Sequence, residues 1–154
     1  MAVNSSKIKA LAKQTYDALS TEFPDSTCSL DNDCPHNLAI RGILSAQCTD
    51  KRVNIVAKPL FERFPTLEEM ADCNIEELED IVKPCGLYRM KAKEIKASCQ
   101  MLIEDFDGRV PDDMEELLLL PGVGRKIANL IIGDIYGKPA VVADTHCIRI
   151  SGRL

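Results

Sequence analysis

The chain has 154 residues, 45% of them hydrophobic and 5% aromatic with no tryptophan, and its net charge is -5. That length supports one ordinary domain with a real core, or one domain plus part of another, without disulfide or metal support, and the core must be built mostly from Leu, Ile, Val and Ala. Taken alone, the negative charge argues against a nucleic-acid partner, because phosphate contacts need Lys and Arg.

Every clear periodic signal is helical. Ile8, Leu11, Ala12, Thr15, Tyr16, Leu19 and Phe23 recur at three- and four-residue steps and predict an amphipathic helix ending near Pro24. A polar turn region follows from Asp25 to Pro35, then an apolar segment from Asn37 to Gln47. Val53, Val56, Leu60, Phe61 and Phe64 mark another helix, which Pro59 is expected to kink or divide. Thr66 with Glu69, and Asn74 with Glu77, have capping-box spacing and predict two short helices, the second stopping at Pro84 to Gly86. Tyr88 to Phe106 reads as a longer basic helix closed by Asp107 and Gly108, and Pro111-Asp112-Asp113 as the start of a short helix running to Leu120. Arg125 to Tyr136 is helical again and stops at Gly137 before Pro139. Asp144 and Thr145 then cap a last helix that ends on Leu154 with no polar tail, which points to a truncated chain or one completed elsewhere. No repeat, low-complexity tract or alternating strand pattern is seen.

The charge is unevenly placed. From Glu62 to Asp80 there are eight acidic residues and one basic, so that stretch holds -7 and the rest of the chain +2. The positive groups elsewhere, among them Arg89, Lys91, Lys93, Lys96, Arg125, Lys126, Lys138, Arg149 and Arg153, allow either a basic face or a solvated mixed-charge surface. The seven cysteines contain no C-x-x-C pair, and no charged leader followed by an apolar run opens the chain. They read as reduced thiols of a soluble, cytoplasmic protein, nucleoid-associated if the source is prokaryotic. Apolar runs such as Leu117 to Leu120 are far too short for a bilayer, so no membrane partner is expected.

Between two of the helices lies Leu120-Pro121-Gly122-Val123-Gly124. Pro121 stops the preceding helix, and two glycines one residue apart free the backbone for turn dihedrals and close approach of a ligand. A loop of this kind feeding a helix N-terminus presents unpaired N–H groups to an anion such as phosphate; the plainer alternative is a tight helix-helix turn. Lys126 stands in the first turn of the next helix, where the positive helix end, with partial burial, would favour the neutral amine that can attack carbon; the alternative is a surface lysine on phosphate or water. A helix from Lys126 to Tyr136 climbs about 15 Å. An extended return from Lys138 to Asp144 covers about 20 Å. An antiparallel return therefore can bring the Asp144 carboxylate back beside Lys126 while it also caps its own helix.

Leu-Pro-Gly-Val-Gly-Arg-Lys at 120–126, with Val-Ala-Asp-Thr-His placing its aspartate 18 residues after the lysine, resembles the endonuclease III family of helix-hairpin-helix DNA glycosylases. The likeness extends upstream. Leu44-Ser45-Ala46-Gln47-Cys48-Thr49-Asp50 resembles that family's Leu-Ser-Ala-Gln-x-Thr-Asp segment, and Gly86-Leu87-Tyr88 with Lys91-Ala92 resembles its Gly-Leu-Tyr-x-x-Lys-Ala. Together these segments span Leu38 to Leu154.

The resemblance implies an all-α HhH-GPD glycosylase fold. Its helical domain would cover 37–138, residues 1–36 would belong to an incomplete second domain, and 139–154 would form the return segment and the start of a cut-off helix. It implies base excision repair: a bifunctional glycosylase and abasic-site lyase acting, as a monomer, on oxidised pyrimidines in double-stranded DNA. In that family a damaged pyrimidine is flipped out and a lysine, matched here by Lys126, attacks the sugar C1′ to leave an imine that eliminates and nicks the strand. Asp144 matches the assisting carboxylate. Gln47 and Leu87 match the residues that fill and wedge the gap, which must be occupied because unstacking costs a few kcal/mol. The hairpin residues Leu120, Gly122, Val123, Gly124 and Arg125 match the backbone clamp. The presence of Lys126 favours this bifunctional type over adenine-specific relatives that lack the lysine. Family members usually end in four cysteines holding a [4Fe-4S] cluster, and none of the cysteines here has that spacing, so no cofactor is assigned to this chain; Cys28 and Cys34 with His36 read as loop thiols rather than metal ligands. The helix around Ile8 to Leu19 would lack the partners it has in relatives. Two other readings stand beside the lyase: an inactive helix-hairpin-helix DNA-binding fragment, and a helical protein-interaction domain.

Overall fold

A computed structural model describes residues 5–31 and 34–153, and all regular structure among them is helical. α1 spans Ser5–Glu22, α2 Pro35–Leu44, α3 Asp50–Arg63, α4 Leu67–Asp72 and α5 Ile75–Val82. After a 3₁₀ turn at Lys83–Cys85 come α6 Tyr88–Phe106, α7 Met114–Leu117, α8 Arg125–Asp134 and α9 Thr145–Ser151. The expected all-α class holds. The expected helix end at Leu154 and residues 32 and 33 of the polar turn lie outside the described residues.

α4 and α5 pack on α6, while α2 joins α3, α6 and α8. Leu38, Leu60, Leu78, Ile95, Leu117 and Ile131, one from each of six helices, are fully buried. Each contributes on the order of 1.5–3 kcal/mol relative to an exposed side chain. α1 and α9, by contrast, contain no buried residue, and Ile8, Leu11 and Leu19 line a shallow apolar groove with Ser151. No described helix is long and apolar enough to cross a membrane.

Local chemistry explains most boundaries. Thr66 Oγ1 accepts the Glu69 N–H at 3.2 Å and the Glu69 carboxylate accepts the Thr66 N–H at 3.3 Å, closing the expected capping box. The second box forms only by half. Asn74 Oδ1 accepts the Glu76 and Glu77 N–H groups, but the Glu77 carboxylate turns to Arg63, whose Nη2 lies 3.0 Å away. α6 ends as its Asp-Gly pair predicts: Asp107 and Gly108 take φ of 52° and 73°, and the Gly108 N–H donates to the Leu102 carbonyl at 2.8 Å.

Three expectations need correction. Pro59 does not divide α3, which continues to Arg63. The ring removes the bond to the Ile55 carbonyl, but Ile55 is exposed, so water can solvate that oxygen. α7 is a single turn rather than a helix from Pro111 to Leu120, because Asp113 is its cap, accepting the Glu115 and Glu116 N–H groups. α8 stops at Asp134, two residues before Tyr136.

Candidate active site

The hairpin leads directly into α8. Leu120 and Val123 are buried and anchor it, and the Val123 N–H donates to the Leu120 carbonyl at 3.0 Å. Gly122 sits at φ 78°, a conformation that disfavours side chains, and a Cβ there would meet Glu94 Cβ at 3.0 Å. Gly124 caps α8 with no side-chain hydrogen bond, so the first turn of the helix has no internal substitute for an anion. Gly122, Gly124, Arg125 and Lys126 are all exposed.

Lys126 and Asp144 are brought to the same place. A cavity of about 290 Å³ is lined by Ser45, Asp50, Lys126, Ile127 and Asp144 among others. A second, of about 450 Å³, is lined by Cys48, Asp50, Lys126, Asp144 and His146 among others. The return from α8 over 137–144 has no regular structure, and near its end the Asp144 N–H donates to the Val142 carbonyl at 2.9 Å. It is pinned at its start, where Lys138 Nζ lies 2.6 Å from Asp112 Oδ2 and donates to the Asp112 carbonyl at 3.0 Å. At its end Asp144 Oδ1 accepts the Cys147 N–H at 2.7 Å and caps α9. That hydrogen bond first, then the charges of His146 and Lys126, hold the Asp144 carboxyl below the usual carboxylate range. The carboxylate is therefore ionised at neutral pH, and it suits stabilising positive charge better than taking up a proton. The expectation of a partly buried Lys126 fails: its side chain is exposed at the two cavity mouths.

Gln47 and Leu87 are both exposed and both adopt left-handed backbone, at φ 53° and 48°. For a non-glycine residue this costs roughly 1–2 kcal/mol, and such strain persists only where the surroundings over-determine it. Gln47 lies in the turn after α2, where the Cys48 N–H donates to the Ser45 carbonyl at 3.0 Å, and Leu87 is the residue before α6. Leu87 is 49% exposed and so is not a core leucine.

Asp50 escaped the sequence reading. It is the first residue of α3, where an acid is sufficiently explained by the positive helix end, yet it lines both cavities and its carboxylate accepts the Ser29 hydroxyl. The loop carrying Ser29 is held by Asn54, whose Nδ2 donates to the Ser29 carbonyl at 2.9 Å. Cys28 lines the smaller cavity, and burial pushes its thiol up to about 11, so it is protonated and unreactive there. Cys34 Sγ lies 3.3 Å from His36 Nε2, and His36 lines a different cavity from Cys28. Among the described residues no group of three or more His, Cys, Asp or Glu side chains converges on a common point.

The basic surface is smaller than the residue count implies. Lys91 is fully buried, Lys96 donates to the Cys73 carbonyl, and Lys138 is paired with Asp112. Arg125 and Lys126 at the hairpin, and Arg149 and Arg153 near α9, remain exposed.

Residues 40–154 match the family described as the HhH-GPD superfamily of base excision DNA repair proteins. The chain is 47% identical over 133 residues to the endonuclease III of Synechocystis, covering 86% of this chain and 61% of that protein. It is 45% identical over 138 residues to the Bacillus subtilis endonuclease III, covering 90% and 63%. It is also similar to a solved trapped covalent intermediate of endonuclease III with DNA, at 44% identity and a TM-score of 0.90, covering 95% of this chain and 68% of that one. The chain thus spans about 60% of the length of these two bacterial relatives.

Proposed function

The chain belongs to the endonuclease III family of HhH-GPD base excision DNA repair proteins, and we propose that it binds duplex DNA at a damaged base or abasic site and acts there as a DNA glycosylase and abasic-site lyase. Oxidised pyrimidines are the substrate class. The observation that carries this reading is the shared placement of Lys126 and Asp144 on two adjoining cavities beside the hairpin. The clamp of Gly122, Val123 and Gly124 takes a backbone phosphate on the free N–H groups of α8. Gln47 and Leu87 occupy the gap left by the flipped nucleotide.

With the nucleotide held out, the Lys126 ammonium gives up a proton to water and its nitrogen forms a bond to C1′ as the C1′–N bond to the base breaks; the base leaves with its electron pair and takes up a proton. The ionised Asp144 carboxylate stabilises the positive charge that grows on the sugar during this exchange. Ring opening gives an imine between Nζ and C1′. Loss of a C2′ proton then expels the 3′ phosphate by β-elimination, and water releases the lysine. At a pre-formed abasic site the same amine condenses with the aldehyde and loses water.

A duplex carrying one abasic site, mixed with the protein and borohydride, tests this directly. Reduction of the imine gives a stable protein-DNA adduct that wild type forms and Lys126→Ala does not. Salt-sensitive binding with no adduct leaves only the DNA-binding fragment, and an adduct with Lys126→Ala removes the assigned nucleophile.

A further inference from the structure

The mechanism leaves the buried charge of Lys91 unused. Lys91 is fully buried in the first half of α6, between Tyr88 and the core residues Ala92 and Ile95. Its ammonium donates two hydrogen bonds, both to main-chain carbonyls: Leu44 at 2.8 Å and Cys85 at 2.8 Å. A buried ammonium bound to carbonyls instead of a carboxylate is an expensive way to fill space, and an apolar side chain would serve packing better. Burial accordingly lowers the readiness of Lys91 to hold its proton, with the Cys85 and Cys48 thiols and Glu94 opposing that trend.

The two acceptors locate the purpose. Leu44 is the last residue of α2, three before Gln47, and Cys85 ends the 3₁₀ turn, two before Leu87. The acceptors are 47 and 6 residues from Lys91 in the chain, so one side chain joins two segments that local structure does not connect. Both segments then run into a strained left-handed residue that needs support from outside its own turn. We propose that Lys91 is a positioning residue that ties the loops carrying Gln47 and Leu87 into one unit, so that both enter the duplex together. This rests on the DNA-filling role given to those two residues above; the tie itself is a property of the free protein.

Hydrogen exchange of the free protein reads the tie without DNA. In Lys91→Met, amides at 45–48 and 86–88 are expected to exchange at least about tenfold faster than in wild type, with α4 and α5 unchanged. Lys91→Gln, which keeps two N–H donors, is expected to recover part of the protection, and Lys93→Met on the exposed face of α6 to change nothing. Acceleration at one loop only, or at neither, overturns the proposal. With an abasic duplex carrying 2-aminopurine opposite the gap, Lys91→Met is expected to lose the fluorescence change on binding while the adduct rate at saturating protein stays within about threefold of wild type. If Lys91→Met does not fold, Gln47→Ala and Leu87→Ala decide: their effects on affinity are non-additive when the loops act as a unit, and additivity sinks the idea. Absence of any wild-type adduct would defeat the lyase reading and leave the exchange result standing.

Discussion

The packed body from α2 to α8 and the two outer helices α1 and α9 are held in different ways. The body buries a continuous core, whereas neither outer helix has a buried residue. The candidate site lies across the boundary. Lys126 stands on α8, inside the body, and Asp144 caps α9, outside it. One partner of the pair is therefore positioned by close packing and the other by a few polar contacts along the return from Gly137. Changes on the two sides should fail in different ways: core changes unfold the molecule, and changes to the return leave it folded but misalign the carboxylate.

The largest expected effect is on the packed side. Ile95→Ala empties a fully buried position. It should cost roughly 2–5 kcal/mol in urea unfolding. Ile8→Ala, on a helix whose residues are all exposed or half-exposed, should stay within about 0.5 kcal/mol. Equal losses would erase the distinction. Next comes Asp144→Asn, which keeps an oxygen to accept the Cys147 N–H and removes only the charge. The melting temperature should hold while imine formation slows by roughly 100-fold, as for loss of a charge aimed at the transition state. A matching fall in stability would mean that Asp144 serves mainly as a cap.

A smaller effect is expected where the body supports the site from beneath. A Cβ on Gly42 of α2 would lie 2.6 Å from Ile127 Cγ2, on the residue next to Lys126. Ile127 is β-branched and stiff, so Gly42→Ala must push α8 away rather than swing a side chain aside. The overpacking should cost about 1–3 kcal/mol. It should also reduce adduct formation, although no atom of Gly42 lines either cavity.

These positions show what a sequence can and cannot carry. The Thr66–Glu69 capping box, the Asp107-Gly108 stop and the helical period of α6 are chemistry between near neighbours, and they were legible. The return that sets Asp144 on the same cavities as Lys126 was legible as a possibility, because rise per residue and chain length allow it. Gly42, Asp50 and Lys91 were not. Asp50 has a sufficient local explanation as the first residue of a helix, and Lys91 sits among Arg89, Lys93 and Lys96, so charge patterning counts it with the surface. Gly42 matters through a residue 85 positions away. In each case the deciding partner lies across the fold. Glu77 failed for the same reason: the box spacing is right, but Arg63 offers a full charge where the cap offers one N–H.

The smallest expected effect tests the weaker side of the boundary. Lys138 pins the start of the return to Asp112, and its hydrogen bond and then its charge hold the Asp112 carboxyl below the ordinary range. An aspartate lowered in the folded state contributes stability that is present above its unfolded value of about 3.9. That contribution is lost as pH falls through the lower, folded value. Melting temperatures of wild type and Lys138→Ala should therefore converge in acid and separate above about pH 4, by a small margin because both partners are exposed. Asp144 is also lowered, chiefly by the Cys147 N–H, so part of the acid slope survives in Lys138→Ala and shrinks further when Asp144 is changed as well. At neutral pH the freed return should let Asp144 drift from Lys126 and slow adduct formation by less than about tenfold, since the α9 cap still holds its far end. Full activity in Lys138→Ala would show that the cap alone places the carboxylate, and that the boundary is more rigid on its outer side than its lack of buried residues implies.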